Sequence, residues 1–203
     1  AYWGLERLDE ALRDYDACVR LAPGSALPLE HRGHVFAAQR FYDRAISDFS
    51  AVIEIDPLRA SAFRDRGLMW YFQNDFRRGL EDVNRAIELD DSEAASFNNR
   101  GATWLKLGEY ANARADLETA RTLDANFPHV YKNLAWLAAT CPVAEFRSGA
   151  AALANATKAL HLTQEQIPEW FGVMAAAYAE AGDFASAVRW QRKFREAAPA
   201  ELD

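Results

Sequence analysis

A repeating period of about 34 residues is the feature that most constrains how this chain can fold. The tripeptide His31-Arg32-Gly33 recurs as Asp65-Arg66-Gly67 and as Asn99-Arg100-Gly101, each copy displaced from the last by the same interval. Six further columns keep the same register: Leu29/Phe63/Phe97, Phe36/Trp70/Trp104, Tyr42/Phe76/Tyr110, Ala45/Gly79/Ala113, Phe49/Val83/Leu117 and Val52/Ala86/Ala120. A fixed period of this length is the signature of a repeat protein, in which each supersecondary unit stacks on the next.

Each repeating unit is predicted to be a pair of helices. Its apolar columns are spaced by three and four positions, which places them on one helical face. A segment rich in Gly, Asn and Asp separates the two halves, as in Gln73-Asn74-Asp75 and Leu107-Gly108-Glu109. We expect the second helix to end near Asp56-Pro57 and at the equivalent aspartates of later units. The glycine column allows the two helix backbones to approach closely.

This pattern resembles the tetratricopeptide repeat of the bacterial type, and the resemblance extends over essentially the whole chain. It implies an all-α fold, an α-solenoid in which antiparallel helix pairs form a right-handed superhelix. An arginine stands before each glycine where the family usually has leucine. We predict a single solenoid of about five and a half repeats, with units at 1–25 (partial), 26–59, 60–93, 94–127, 128–167 and 168–203.

The fifth unit, 128–167, is longer than the period by six positions. The extra length falls within 142–149, between the two expected helices. Such an insertion can carry binding specificity, or it can be a tolerated length variant, and the sequence leaves both interpretations open. The partial first unit and the missing cap after Asp203 suggest a piece of a longer protein, or ends such as Tyr2, Trp3 and Leu5 that pair with a second copy.

Composition and charge exclude several classes of protein. No stretch approaches 18 consecutive apolar residues, so we expect no membrane insertion. The net charge of −7 and the lack of a long basic run argue against nucleic-acid binding. Residues 1–93 carry 12 basic and 18 acidic side chains, whereas 94–203 carry 11 and 12, so an acidic ligand should prefer the second half.

The two cysteines give an expectation about location. Cys18 and Cys141 are far apart in sequence and suggest neither a disulfide framework nor a zinc site. We predict that both are buried thiols in a reducing compartment and that the chain is cytoplasmic. The chain begins with Ala1 rather than Met, so a signal peptide removed upstream would leave no trace in it.

The resemblance also implies where a ligand would bind. In this family the first helices line a concave groove, through the second, fifth, sixth, ninth, twelfth and thirteenth positions of each unit. Asparagine amides at these positions suit an extended peptide backbone, lysine and arginine suit carboxylates, and large aromatic side chains often carry binding energy. The candidate groove residues chosen on these grounds are Arg64, Tyr71, Asn98, Asn99, Lys106, Lys132, Asn133 and Trp136. Packing against the next unit is an equally good explanation for Trp136.

The family's two-carboxylate clamp for acidic chaperone tails is not supported. Its positions in units three to five are occupied by Arg64, Leu68, Asn99, His129 and Asn133. Of these, only Asn99 matches strictly and Arg64 conservatively.

No catalytic or metal-binding constellation emerges. Glu30, His31 and His34 have spacings that can place metal ligands on one helical surface, but no third ligand of suitable geometry is evident. The sequence has no phosphate-binding loop, dinucleotide-binding glycine run or nucleophile elbow. We therefore expect no enzyme activity, no metal and no cofactor.

The sequence favours a non-catalytic interaction scaffold that holds a peptide or a partner protein in its concave groove. The alternative is a structural or oligomerisation module within a larger, enzymatic or regulatory protein. A homo-oligomer formed through uncapped ends belongs to that second interpretation. Groove residues alone do not identify the partner.

Overall fold

The structure is a computed structural model that describes residues 5–164 and 166–197, with side chains from residue 7 onward. The described chain is all-α and contains no strand. Its helices are α1 (Leu5–Leu21), α2 (Ala26–Ala38), α3 (Tyr42–Ile55), α4 (Ala60–Phe72), α5 (Phe76–Leu89), α6 (Ala94–Leu107), α7 (Tyr110–Leu123), α8 (Pro128–Thr140), α9 (Gly149–Leu162), α10 (Phe171–Glu180) and α11 (Phe184–Ala197). Short 3₁₀ turns at Ala144–Phe146 and Pro168–Trp170 precede α9 and α10.

Successive helices pair as the period predicts, and this confirms the all-α helix-pair fold. The helices α3, α5 and α7 end directly before the aspartates at 56, 90 and 124. Between the helices of each pair, Arg40, Asn74 and Gly108 occupy equivalent positions of successive repeats and all have positive φ, of 63°, 62° and 79°. This left-handed residue ends the first helix and turns the chain into the second.

The helices form two compact units, residues 1–103 and 104–203. In the first unit, the core lies within each helix pair and also between one pair and the next. Phe49, Val52 and Ala45 of α3 are completely buried and pack with Met69 of α4 and Leu29 of α2. The columns that repeat in the sequence are therefore the ones that supply the core.

The glycine column brings helices α4 and α5 into direct backbone contact. A Cβ placed on Gly67 would lie 2.7 Å from a methyl group of Val83 and 3.0 Å from the carbonyl oxygen of Gly79. A Cβ on Gly79 would lie 3.1 Å from the carbonyl oxygen of Gly67. The two glycines thus face each other, and no larger residue fits at Gly67 without separating the helices.

The arginine before each glycine connects helices rather than facing solvent. Arg66 of α4 donates two hydrogen bonds to Asp82 of α5, at 2.8 and 2.7 Å, and a third to the Ser50 hydroxyl of α3, at 3.0 Å. Arg32 bonds in the same way to Asp48, at 2.9 and 2.7 Å, and to Asp16, at 2.8 Å. Because a forked guanidinium matches a carboxylate with two parallel bonds, this arginine fixes the geometry of each pair.

In the second unit, helices α8, α9 and α10 enclose a small-residue core. Ala135, Ala152 and Ala177 are completely inaccessible and lie beside Met174 and Trp170. Gly149 begins α9 so close to Ala181 that an added Cβ would lie 2.5 Å from the Cα of Ala181. Alanine and glycine at these contacts let the helices pack with little space between their backbones.

The prediction of two buried thiols is half right. Cys141 is buried at the end of α8, whereas Cys18 is exposed on α1. The physical reason is that α1 packs mainly against α2, through neighbours such as Tyr15 and Val19, so only one side of the helix is covered.

Several expectations fall on residues that the structure does not describe. Tyr2, Trp3, Asp203 and the side chain of Leu5 lie outside the described residues. No helix within the described ranges combines the length and the hydropathy needed to cross a membrane.

Candidate functional site

In the first unit, Arg64 is held by acidic residues of its own unit. Its guanidinium donates to Asp65 at 2.8 Å and forms a second ion pair with Glu93, and only 18% of its side chain is exposed. The positive charge predicted for the groove at this position is therefore matched by two carboxylates.

The same network continues to helix α2 through His34. The His34 Nε2 lies 2.7 Å from Asp65 Oδ2, and this hydrogen bond raises the pKa of His34. Burial opposes ionisation of Asp65, but the hydrogen bonds from His34 and Arg64 outweigh it and hold the pKa of Asp65 below its ordinary value. Glu30 similarly accepts a hydrogen bond from Ser61 at 2.9 Å and pairs with Arg59 at 3.3 Å.

Tyr71 and the two asparagines of the first unit are more buried than the resemblance implies for ligand contacts. The Tyr71 ring packs edge-on against Phe72 and tilted against Phe76, both at 5.7 Å between centroids, and burial raises the pKa of Tyr71. Asn98 is 5% exposed and donates to the Asn99 side chain at 3.4 Å. Asn99 is half-buried, and its backbone carbonyl accepts from the Thr103 hydroxyl.

The second unit presents two lysines without acidic partners. Lys106, at the end of α6, is exposed, and Lys132, on α8, is half-buried. Neither forms an ion pair with any residue that the structure describes. Burial lowers the pKa of Lys132, and the nearby charge of Lys106 lowers it further. Desolvation and the charge of Lys132 in turn lower the pKa of His129. This part of the second unit is locally positive within an acidic protein.

Trp136 lies one helical turn after Lys132 on α8, which places the two on the same face. Its side chain is 46% exposed, and it makes no ring contact with another described aromatic residue. Asn133, by contrast, is buried at 5% exposure and already engaged. Of the four residues predicted in this unit, Lys106, Lys132 and Trp136 are accessible to a ligand.

A small cavity lies beside Trp136. Its volume is about 210 Å³, and it is lined by Leu105, Tyr110, Trp136, Leu137, Thr140, Cys141 and Pro142. The sequence does not reveal this cavity, because its lining comes from three different helices and from the start of the insertion. Cavities for whole small molecules measure roughly 300–1,000 Å³, so this one suits a single side chain.

The 142–149 insertion packs against the wall of that cavity. Phe146 lies 6.1 Å from the Tyr110 ring, between centroids, and the Arg114 guanidinium lies 4.8 Å above the Phe146 ring. Arg147 pairs with Glu180 of α10 at 3.3 Å. The insertion is therefore held at both its middle and its end by the second unit.

Known proteins share this architecture. A family model described as tetratricopeptide repeat matches residues 1–25. No curated protein matches the chain by sequence. Among solved structures, TTC0263, a thermophilic TPR protein in Thermus thermophilus, is 18% identical over 88% of this chain and 94% of its own, with a TM-score of 0.73. The chain has the tetratricopeptide-repeat fold.

The descriptions of two further similar structures mention peptide binding. YrrB, described as a TPR protein with an unusual peptide-binding site, is 15% identical over 93% of this chain and 94% of its own, with a TM-score of 0.58. The first TPR domain of Spaghetti (RPAP3), bound to the HSP90 peptide SRMEEVD, is 26% identical over 52% of this chain and 83% of its own, with a TM-score of 0.50.

Within this tetratricopeptide-repeat fold, the partners of the repeating arginines were not predicted from the sequence. Asp48 and Asp82, which receive the paired bonds, are themselves one period apart in sequence, and so are Asp16 and Ser50, which accept the third bond. The separation of these acceptors by one period is the sequence signal that could have identified them. No comparable signal marks His34 and Asp65, because that pair occurs once.

Proposed function

We propose that the chain is a non-catalytic protein-interaction scaffold that binds an extended peptide segment of a partner protein. The observation that carries this proposal is the exposure of Trp136 on the first helix of a repeat, beside a lysine that has no acidic partner within the described chain. A half-exposed tryptophan next to an unmatched charge is the kind of residue that dominates binding at protein interfaces. Both YrrB and the RPAP3 domain share the fold; YrrB is described as having an unusual peptide-binding site, and the RPAP3 domain is described as bound to a peptide.

The proposed contact set differs between the two units. In the second unit it consists of Lys106, Lys132 and Trp136. In the first unit, Arg64 and the buried Asn98 are engaged within the protein, so we propose that they stabilise that unit rather than contact a ligand. Asn99 and Tyr71 are the residues of the first unit that we keep as candidates for weaker ligand contacts.

The test is affinity capture of partners with the wild-type chain, followed by calorimetric titration of the recovered partner against the Trp136→Ala variant. We expect at least a 10-fold loss of affinity, which corresponds to about 1.4 kcal/mol. Phe41→Ala is the matched control, because Phe41 is an aromatic residue of the first unit that is 49% exposed, close to the 46% of Trp136. Equal loss in both variants, or no loss in Trp136→Ala, would contradict the proposal.

A second candidate function is association through α11. Phe184 and Val188 are 68% and 59% exposed on this helix, and a concavity of about 510 Å³ lies between Val188, Arg192 and Arg195. Exposed apolar residues grouped on one helix are typical of an interaction surface. Light scattering over a range of concentrations tests self-association there, and a monomeric mass at every concentration would exclude it.

A further inference from the structure

We propose that the second unit selects acidic peptide segments that carry one bulky uncharged side chain, with that side chain in the 210 Å³ cavity and the neighbouring carboxylates on Lys106 and Lys132. This proposal rests on the proposed function and defines the chemistry of its ligand. The cavity, the charge beside it and the insertion each support it.

The cavity accepts an uncharged side chain rather than a charged one. Among the described residues, no charged side chain lines it; Leu105, Leu137 and Pro142 present apolar side chains, and Trp136 and Tyr110 present aromatic rings. The Thr140 hydroxyl already donates to the Trp136 backbone carbonyl at 2.8 Å. Burying a charged group there would cost its solvation without a compensating partner.

The charge beside the cavity selects carboxylates. Lys106 follows Leu105 in α6, and Lys132 precedes Trp136 by four positions in α8, so each lysine is close in sequence to a residue of the cavity wall. Their positive charges act on each other, and no described carboxylate neutralises either of them. An incoming carboxylate relieves this repulsion, whereas a cationic ligand would increase it.

The insertion makes this chemistry specific to the fifth repeat. Pro142 and Cys141 close one side of the cavity, and Phe146 supports Tyr110 from outside it. The contacts of Phe146 with Tyr110 and Arg114 hold the insertion in place, so this side of the cavity is fixed by side-chain packing. This supports the interpretation that residues 142–149 carry specificity.

A random peptide display library tests the proposal with the full chain as bait. Wild-type protein should enrich sequences in which a Phe, Tyr, Trp, Leu or Met lies close to Asp or Glu. Fluorescence anisotropy of one enriched peptide should show at least a 10-fold loss of affinity for the Lys106→Glu/Lys132→Glu variant and for Trp136→Ala. Arg13→Glu/Arg20→Glu is the control, because it makes the same change in net charge on exposed residues of α1, in the first unit.

The outcomes distinguish failure of this inference from failure of the proposed function. Enriched acidic peptides that lose affinity only in the lysine and tryptophan variants support the inference. Peptides without acidic enrichment, or peptides whose affinity the variants leave unchanged, overturn the inference but leave peptide binding standing. A library that yields no binder overturns both. Circular dichroism and thermal unfolding of each variant distinguish lost contacts from lost folding.

Discussion

At the residue scale, the arginine that precedes each repeat glycine forms a directional ion pair at a position where a leucine would pack by apolar contact. Asp82 is 7% exposed and accepts both parallel hydrogen bonds of Arg66, so that one guanidinium compensates the buried carboxylate. A buried carboxylate that loses its partner is more costly than a pair replaced as a whole. We therefore expect the repeat to be sensitive to single substitutions at this position and tolerant of paired ones.

Arg66→Leu should lower the free energy of unfolding by about 2–4 kcal/mol, because Asp82 would remain buried and unpaired. The double variant Arg66→Leu/Asp82→Leu should recover most of that loss. Urea unfolding followed by circular dichroism measures both. Arg77→Ala is the control, because the Arg77 side chain is 92% exposed and, among the residues that the structure describes, forms an ion pair only with Glu81, at 3.5 Å. A double variant as unstable as the single one would contradict this explanation.

Arg40 is the one long side chain at the left-handed position that ends the first helix. Asn74 and Gly108, its equivalents, belong to the residue types that adopt positive φ readily. Arg40→Gly should therefore raise the free energy of unfolding by about 0.5–1 kcal/mol, since φ of 63° is unfavourable for arginine. Urea unfolding again provides the measurement. Arg77→Gly, within a regular helix, should lower stability by about 1 kcal/mol, and a loss of stability in Arg40→Gly would contradict the interpretation.

At the element scale, His34 joins consecutive first helices, α2 and α4, through Asp65. The pKa of His34 is raised in the folded chain, so its contribution to stability is complete below about pH 6.5 and is lost as pH rises through the folded pKa. The pKa of Asp65 is lowered, so its contribution is present above about pH 4 and is lost on acidification below that. The pair is strongest between these limits.

His34→Asn should therefore destabilise the protein more at pH 5.5 than at pH 8.5. Because the side chain is 48% exposed, we expect a difference of only about 0.5 kcal/mol. Chemical unfolding at the two pH values measures it. His161→Asn is the control, since His161 is exposed and has no ion pair with any described residue. An effect of His34→Asn that is equal at both values would show that the ion pair does not titrate in this range.

The helices themselves are largely predictable from the sequence, and the contacts between them are less so. The repeat period identifies which columns form the core and where Asn74 and Gly108 turn the chain, because packing and backbone geometry repeat with the period. The cavity beside Trp136 and the His34–Asp65 pair occur once. A period contains no information about features that do not repeat, so neither could be predicted from it.

The contacts of the 142–149 insertion could not be predicted from the sequence and are known only from the structure. Phe146→Ala removes its contacts with Tyr110 and Arg114, at a cost of about 1 kcal/mol. Trypsin should then cleave after Arg147 faster than in the wild type, because the insertion opens more often. Phe184→Ala, which removes an exposed ring, should leave this cleavage rate unchanged. An unchanged rate in Phe146→Ala would mean that the ring does not hold the insertion.

At the scale of the whole molecule, the proposed ligand site lies in the less acidic of the two units. The first unit contains most of the acidic excess and neutralises Arg64 within its own network. The second unit leaves Lys106 and Lys132 unmatched among the described residues. Long-range attraction of an acidic segment and its final contacts would therefore act on the same unit.

The chain has four lysines, Lys106, Lys132, Lys158 and Lys193, so each can be observed separately. Reductive methylation with ¹³C-formaldehyde retains their charges and gives one dimethyl-lysine resonance for each. Titration with an acidic peptide or with the recovered partner should shift the resonances of Lys106 and Lys132 and leave those of Lys158 and Lys193 in place. Shifts confined to Lys158 and Lys193, or equal shifts in all four, would contradict a binding surface on α6 and α8.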